Sequence, residues 1–270
     1  MEDELPQMLE GCSVLGTEIG DAHSGEIQAT VFFAPGNAGA ADRLRTLLMA
    51  RGVEDVLIEP VVSEDWLAGY RERARPFPVG DIWWVDPRPE SSISPPAGRR
   101  RLVIEPRMAF GSGSHESTQL ILLELERLGV DGATILDIGT GSGILAIAAA
   151  ELGAKMVVAI DIDEDAIWVA RETTDLQERR AGVRYVIGSP DCLAAVEFDI
   201  VMCNMISANL LPVLPQFRAF LEPGGMAVLS GLLAIETLDI TETLSSLGLE
   251  VTGGRVLGEW GSLVVTVRGR

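Results

Sequence analysis

Asp137, Gly139, Gly141, Gly143 and Asp161 are the residues whose types and spacing point most directly to chemistry. The glycines alternate with Thr140 and Ser142 at the end of A-T-I-L-D-I-G-T-G-S-G, the stretch from Ala133 to Gly143. Without a Cβ, a backbone can turn sharply and approach a ligand closely, and a helix that starts just afterwards offers unpaired N–H donors. That combination suits a nucleotide-like ligand. Asp161 lies 22 positions after Gly139, at the end of the next apolar run, Met156 to Ile160, where a carboxylate can accept from ribose hydroxyls. The spacing here is G-x-G-x-G with Asp137 two places ahead, and so differs from the G-x-G-x-x-G of dinucleotide sites. The competing reading is purely structural, a strand-to-helix turn followed by a surface aspartate.

Other residues join this set by position. Met108-Ala109-Phe110-Gly111-Ser112-Gly113-Ser114-His115 is a second glycine-rich turn, leading into a helix from Glu116 to Leu128. It brings Phe110, Ser114, His115 and Thr118 towards one mouth, with Thr118 in the first turn of the helix. Alternatively, Ser114 only caps the helix and His115 fills a surface position. Asp191 follows the strand Val183 to Ile187 and is placed either to accept from an adenine amino group or to form a turn. Asn204 ends the buried strand Phe198 to Cys203, where its amide supplies both a donor and an acceptor to a cofactor or substrate.

The elements that must hold these residues follow from periodicity. Thr134-Ile135-Leu136 is a short, buried strand, and Ile144, Leu145, Ile147, Ala148 and Ala149 belong to a helix packed back on it. From Leu102 to Glu105 onward, strand and helix alternate, with helices at Ile167 to Glu178 and Leu210 to Phe220, a strand Met226 to Ser230 and a turn at Gly231. This pattern predicts a doubly wound, Rossmann-like parallel sheet. Val251 to Leu257 and Leu263 to Val267 are expected to pair as a terminal antiparallel hairpin around Gly258 to Gly261.

Ahead of that domain, residues 1 to 62 read as a small α+β, ferredoxin-like unit. Its expected elements are a short helix from Leu5 to Leu9, strands at Cys12 to Ile19, Ile27 to Phe33 and Val56 to Val62, and a helix from Ala38 to Arg51. A linker helix over 63 to 75 begins at the N-cap Ser63, carries Trp66 and Tyr70 on one face and stops before Pro76. Residues 76 to 270 form the larger domain. Ile82 to Val85 reads as a strand, Asp86 to Gly98 as an exposed loop, and Arg99-Arg100-Arg101 as its solvated end.

The balance of the 270 residues excludes several classes. The formal net charge of −19 opposes binding to a nucleic-acid backbone through the general surface and favours a basic protein partner. Alternatively, the acidity serves solubility alone. Three cysteines, Cys12, Cys192 and Cys203, without C-x-x-C spacing indicate neither a disulfide framework nor a metal site. The acidic start M-E-D-E-L and the lack of a long apolar run argue against a secretory leader and a membrane span. The expectation is a cytoplasmic monomer.

The glycine loop with Asp137 resembles motif I of S-adenosylmethionine-dependent methyltransferases, in which the early acid lies close to the methionine end of the cofactor. Over nearly its whole length, and most strongly from Glu105 to Trp260, the chain resembles the PrmA family, bacterial methyltransferases of large-subunit ribosomal protein L-eleven. The segments that carry this are E-P-R-M-A-F-G-S-G-S-H-E-S-T, I-L-D-I-G-T-G-S-G-I-L-A-I-A-A, A-I-D-I-D-E-D-A-I, C-N-M-I-S-A-N-L, L-S-G-L-L and G-E-W-G-S-L. The resemblance implies a class I methyltransferase domain in which Thr118, Gly139, Asp161 and Asn204 contact S-adenosylmethionine. The site expected from residues and resemblance together adds Asp137, Gly141, Phe110 and Asp191, with no metal. Some positions depart from the family pattern. Ser112 and Ser114 replace threonines, N-M-I-S stands for N-I-L-A, and Tyr70 stands where the linker often has Trp.

The implied reaction is in-line attack of a neutral lysine or α-amino nitrogen on the sulfonium methyl. Asn204 orients the amine or the cofactor, and no obligatory general base is needed. The implied partner is a ribosomal protein. Alternatives are the same chemistry on another protein lysine, such as that of electron-transfer flavoprotein, or on a small molecule. Beyond these stand a non-catalytic cofactor-binding module and, more remotely, a nicotinamide oxidoreductase.

Overall fold

The computed structural model describes residues 14–21, 27–33, 38–53, 55–59, 74–89, 93–104, 115–178, 182–193 and 196–267. The chain divides into two compact units, Met1–Glu64 and Asp65–Arg270. In the first, strands β1 (Val14–Asp21) and β2 (Ile27–Phe33) pair antiparallel, and helix α1 spans Ala38–Ala50. The expected strand Val56 to Val62 is not formed over residues 55–59, which have no regular structure. There Leu57 is 78% exposed, so the apolar run has no sheet to join. The expected helices at Leu5 to Leu9 and over 63 to 75 lie outside the described residues, apart from 74 and 75, which are not helical.

The second unit opens with a three-stranded sheet of β3 (Phe77–Val79), β4 (Trp83–Asp86) and β5 (Arg100–Val103). This corrects two expectations. The strand around Leu102 belongs to this small sheet and not to the doubly wound one, and of the three arginines only Arg100 is exposed, Arg99 and Arg101 being partly buried. Arg100 and Arg101 open β5, Arg99 donates to Trp83 O at 2.8 Å, and Arg101 Nη2 lies 2.9 Å from the fully buried carboxylate of Asp86. Burying Asp86 without a guanidinium would leave an uncompensated charge, and this need draws the arginine into the sheet.

The main sheet has seven strands in the order β11-β12-β10-β9-β6-β7-β8. They are β6 (Thr134–Ile138), β7 (Met156–Asp161), β8 (Val183–Ile187), β9 (Phe198–Asn204), β10 (Leu221–Leu233), β11 (Leu249–Leu257) and β12 (Trp260–Val267). Strands β8 to β10 in this order pair parallel, while β12 is antiparallel to both β10 and β11, as expected for a terminal hairpin. Side chains alternate across the strands, so two cores form. Ile135, Val157, Ala159, Ile200 and Met202 face one, with helices α2 (Glu116–Leu128) and α3 (Ile144–Glu151). Leu136, Ile138, Val158, Ile160, Val201 and Cys203 face the other. Ile144 to Ala149 are all buried, which explains why α3 is apolar on every side.

Helix α4 occupies Glu164–Asp175, starting and ending three residues earlier than expected because Asp163 caps it by accepting from Asp165 N at 2.9 Å. The expected helix Leu210 to Phe220 is two pieces, α5 (Ser207–Leu210) and α6 (Leu214–Phe220), because Pro212 and Pro215 cannot donate the hydrogen bonds of a continuous helix. Gly231 is not a terminal turn. It lies within β10, in a register shift between Leu229 and Leu232, and the strand continues to Leu233. A further helix, α7 (Thr237–Ser246), follows, burying Ile240 and Leu244. Among the described residues, no helix is long and apolar enough to cross a membrane.

Candidate active site

The chain moves from β6 outward through β7 to β8, then returns to place β9 on the other side of β6. Strand order therefore reverses between β6 and β9, and in open α/β sheets a crevice for ligands forms at that switch point, beyond the strand carboxyl ends. Asp161 pairs with Ile187 and Asn204 with Ser230, while Ile138 is level with Ile160 and Cys203. One step further along, Asp161, Gly139 and Asn204 thus form a single row across the end of the sheet.

The glycine loop is fastened to this row. Gly139 N and Thr140 N both donate to Ile160 O, at 2.9 and 3.0 Å, and Gly141 N donates to Asp161 Oδ2 at 2.9 Å. Asp161 Oδ1 accepts from Asp163 N at 3.1 Å. The carboxylate of Asp161 is therefore oriented by backbone donors on both sides while its residue remains partly open. Gly139 has φ +71°, and a Cβ there would lie 2.2 Å from Met205 Cε. The positive φ favours glycine here, and a Cβ would also force the flexible end of the Met205 side chain to move.

Asp137 is buried. Its Oδ2 accepts from Thr140 Oγ1 at 2.7 Å, whereas Oδ1 has no protein partner. Burial pushes its carboxyl up to about 7, against the Thr140 hydroxyl, with the negative charge of Asp161 adding to the rise and the Ala146 N–H opposing it. A proton or a cationic ligand is needed to settle such a group.

Asn204 has the same strand parity as Ile200 and Met202, so it faces the α2 side of the sheet. There its Nδ2 donates to Thr118 Oγ1 at 3.1 Å, with Thr118 buried in the first turn of α2. This leaves Asn204 Oδ1 as the acceptor of the amide. His115 is the N-cap of α2, its Nδ1 accepting from Ser117 N at 3.3 Å, and its ring meets Trp260 edge-on at 4.5 Å. It is therefore a cap and not a mere surface filler, whereas Ser114 lies outside the described residues.

Asp137, Gly139, Gly141, Asp161, Asn204 and Thr118 are thus brought together around the switch point. Asp191 is exposed in the short turn Pro190–Cys192 after β8, accepting from Ser189 Oγ at 3.3 Å. Phe110 lies outside the described residues. Sequence reasoning passed over Met205, which packs on Gly139, and Tyr185, whose hydroxyl bonds Thr174 Oγ1 at 2.8 Å and is pushed by burial up to about 12. A large side chain directly after a strand-ending Asn was the available signal for Met205.

The chain is similar to known proteins over most of its length. The family model described as ribosomal protein L11 methyltransferase (PrmA) matches residues 17–268. A ribosomal protein L11 methyltransferase of Symbiobacterium thermophilum is 36% identical over 219 residues, which are 81% of this chain and 71% of that one. The crystal structure of a ribosomal protein L11 methylase from Lactobacillus delbrueckii subsp. bulgaricus superimposes with a TM-score of 0.68 at 28% identity, covering 73% of this chain and all of that one. A methyltransferase crystallised with SAH shares the fold alone, with a TM-score of 0.50 at 12% identity over 57% of this chain and 50% of that one. With a Rossmann-like sheet, a glycine loop fastened to Asp161 and a family match over nearly its whole length, the chain belongs to the ribosomal protein L11 methyltransferase (PrmA) family of S-adenosylmethionine-dependent methyltransferases.

Proposed function

We propose that this chain moves methyl groups from S-adenosylmethionine to lysine or α-amino nitrogens of ribosomal protein L11. The observation that carries this reading is the Asn204–Thr118 pair at the switch point, beside the glycine loop. When bound, the cofactor supplies a methyl on a positively charged sulfur that is open to an amine lone pair. The residues fit such a cation. The unpartnered, buried Asp137 Oδ1 and the Asp161 carboxylate are the negative groups of the crevice, and Gly139 and Gly141 allow close approach. Asp161 is the group suited to ribose hydroxyls, and Thr118, bonded to Asn204, would be a further group holding the cofactor. Asp191, at the next strand end, is suited to the adenine amino group, with Phe110 as a further cofactor contact.

An ammonium has no lone pair, so the acceptor must react as the neutral amine. Asn204 Oδ1 is the free acceptor that can take its N–H and aim the lone pair. Proximity to a cationic ligand favours the uncharged amine, so positioning supplies most of the rate and no side chain need act as an obligatory base.

Support for a protein acceptor comes from the rim. Ile206, two positions after Asn204, and Ile235 and Leu238, to either side of the Glu236 that bonds Ser207, are 52%, 85% and 67% exposed, more apolar surface than a small amine requires. The net charge of −19 suits a basic partner and opposes direct binding of nucleic acid. Residues 1 to 62 serve as the substrate-recognition unit, 63 to 75 as the linker and 76 to 270 as the methyltransferase domain. The protein acts as a cytoplasmic monomer.

The test is intact-mass spectrometry of purified, unmethylated L11 after incubation with this protein and S-adenosylmethionine, with Asp161→Ala as control. Mass gains in multiples of one methyl, lost in the variant, are expected. No gain from a protein that still binds the cofactor would move the assignment to another acceptor, such as another protein lysine.

A further inference from the structure

Glu236 lies outside the glycine loop and the Asn204–Thr118 pair, yet both of its carboxylate oxygens are engaged. It closes the short turn Ala234–Glu236 between β10 and α7. Oε2 accepts from Leu233 N at 2.9 Å, and Oε1 accepts from Ser207 Oγ at 2.9 Å. Ser207 is the first residue of α5, three positions after Asn204. The intervening backbone is held on the same side, since Met205 N donates to Ser230 O at 3.0 Å. The turn is tied in turn to the hairpin that carries Trp260, because Ala234 N donates to Glu259 O at 2.7 Å. One carboxylate therefore joins the segment after β9 to the end of β10.

We propose that Glu236 is a positioning residue for methyl transfer, its carboxylate fixing Ser207 and with it the Asn204–Ser207 segment against which the acceptor amine is aligned. This rests on the reading of Asn204 as the group that orients the amine. An aligned nucleophile tolerates little displacement, and a shift of about 1 Å caused from a distance can cost about 100-fold in rate. Glu236 touches neither reacting atom in this account. Its contribution is that the Asn204 amide is already in place when the amine arrives.

Four variants test this: Glu236→Ala, Ser207→Ala, the double variant and Glu236→Gln, each measured for kcat, cofactor Kd and Tm. Each alanine variant is expected to lower kcat about tenfold, with cofactor Kd within about twofold of the parent. The double variant is expected to match Glu236→Ala, because both changes remove one bridge. Glu236→Gln is expected to retain at least about half of kcat, since an amide can accept from Leu233 N–H and donate to the rotatable Ser207 hydroxyl.

Wild-type kcat in Ser207→Ala would overturn the proposal, as would a loss of cofactor affinity that parallels the loss of kcat. A glutamine variant as slow as the alanine variant would also overturn it, and would assign the carboxylate charge a direct part in the chemistry. If the parent shows no turnover on a protein amine, the reading of Asn204 fails and this inference falls with it. Parent turnover with unaffected alanine variants rejects the inference alone.

Discussion

Asn204 and Thr118 are 86 residues apart in the chain, yet Asn204 Nδ2 donates to Thr118 Oγ1 at 3.1 Å. The bond joins the end of β9 to the first turn of α2 and decides which end of the amide is available to a substrate. Thr118→Val keeps the shape and removes the acceptor, so the amide loses its anchor. The expected result is a fall in kcat/KM of about tenfold, with Thr118→Ser restoring most of it. Steady-state kinetics on the protein acceptor checks this.

Asp137 predicts a pH dependence of cofactor binding. Its carboxyl is pushed up to about 7 by burial and by the charge of Asp161, so it is mostly protonated at pH 6 and mostly ionised at pH 8. A cationic ligand prefers the ionised form, and binding therefore releases a proton. Affinity for S-adenosylmethionine is expected to rise about tenfold from pH 6 to pH 8, and to lose this dependence in Asp137→Asn. In the free protein, the same raised carboxyl favours the fold fully below the usual carboxylate range, and that contribution is lost as pH rises through about 7. Calorimetric titration across pH, and thermal unfolding of the free protein, measure the two effects.

Gly231 predicts a steric effect on the site. A Cβ at this bulge would lie 2.6 Å from Met205 C and O, and the backbone is at φ +83°. Gly224, in the same strand at φ +88°, would have no heavy atom within 4 Å of a Cβ. Gly224→Ala is therefore expected to cost only the conformational term of about 1 kcal/mol, whereas Gly231→Ala should cost about 3 kcal/mol or more. Only the second is expected to lower methyl transfer, because only it displaces the residue next to Asn204. Denaturant unfolding and turnover of both variants provide the comparison.

How far the sequence discloses this site depends on how local each cause is. The glycine loop, Asp161 and Asn204 are legible because glycines break an apolar run at a strand end and the strand period fixes which residue comes next. The small sheet of β3, β4 and β5 is not, because its strands are three or four residues long and Arg101 takes its place through Asp86, 15 positions away. Helix α7 is hidden by a sequence rich in Thr and Ser, T-L-D-I-T-E-T-L-S-S, and is held by the burial of Ile240 and Leu244. Gly231 reads as a turn from its neighbours alone, since the pairing of β10 with β12 that makes it a bulge is long-range. Glu236 and Met205 are silent for the same reason: their partners, Ser207 and Gly139, come from other strand ends.

The most direct test of the account is the single-turnover rate of methyl transfer by Asn204→Ala, with the cofactor Kd measured on the same preparation. Asn204 is held here to align the amine beside a cofactor site built mainly from the glycine loop and Asp161. A rate about 100-fold below that of the parent, with Kd changed only a few-fold, is the predicted result. A near-parental rate, or a loss of cofactor binding large enough to account for the whole loss of rate, would contradict it.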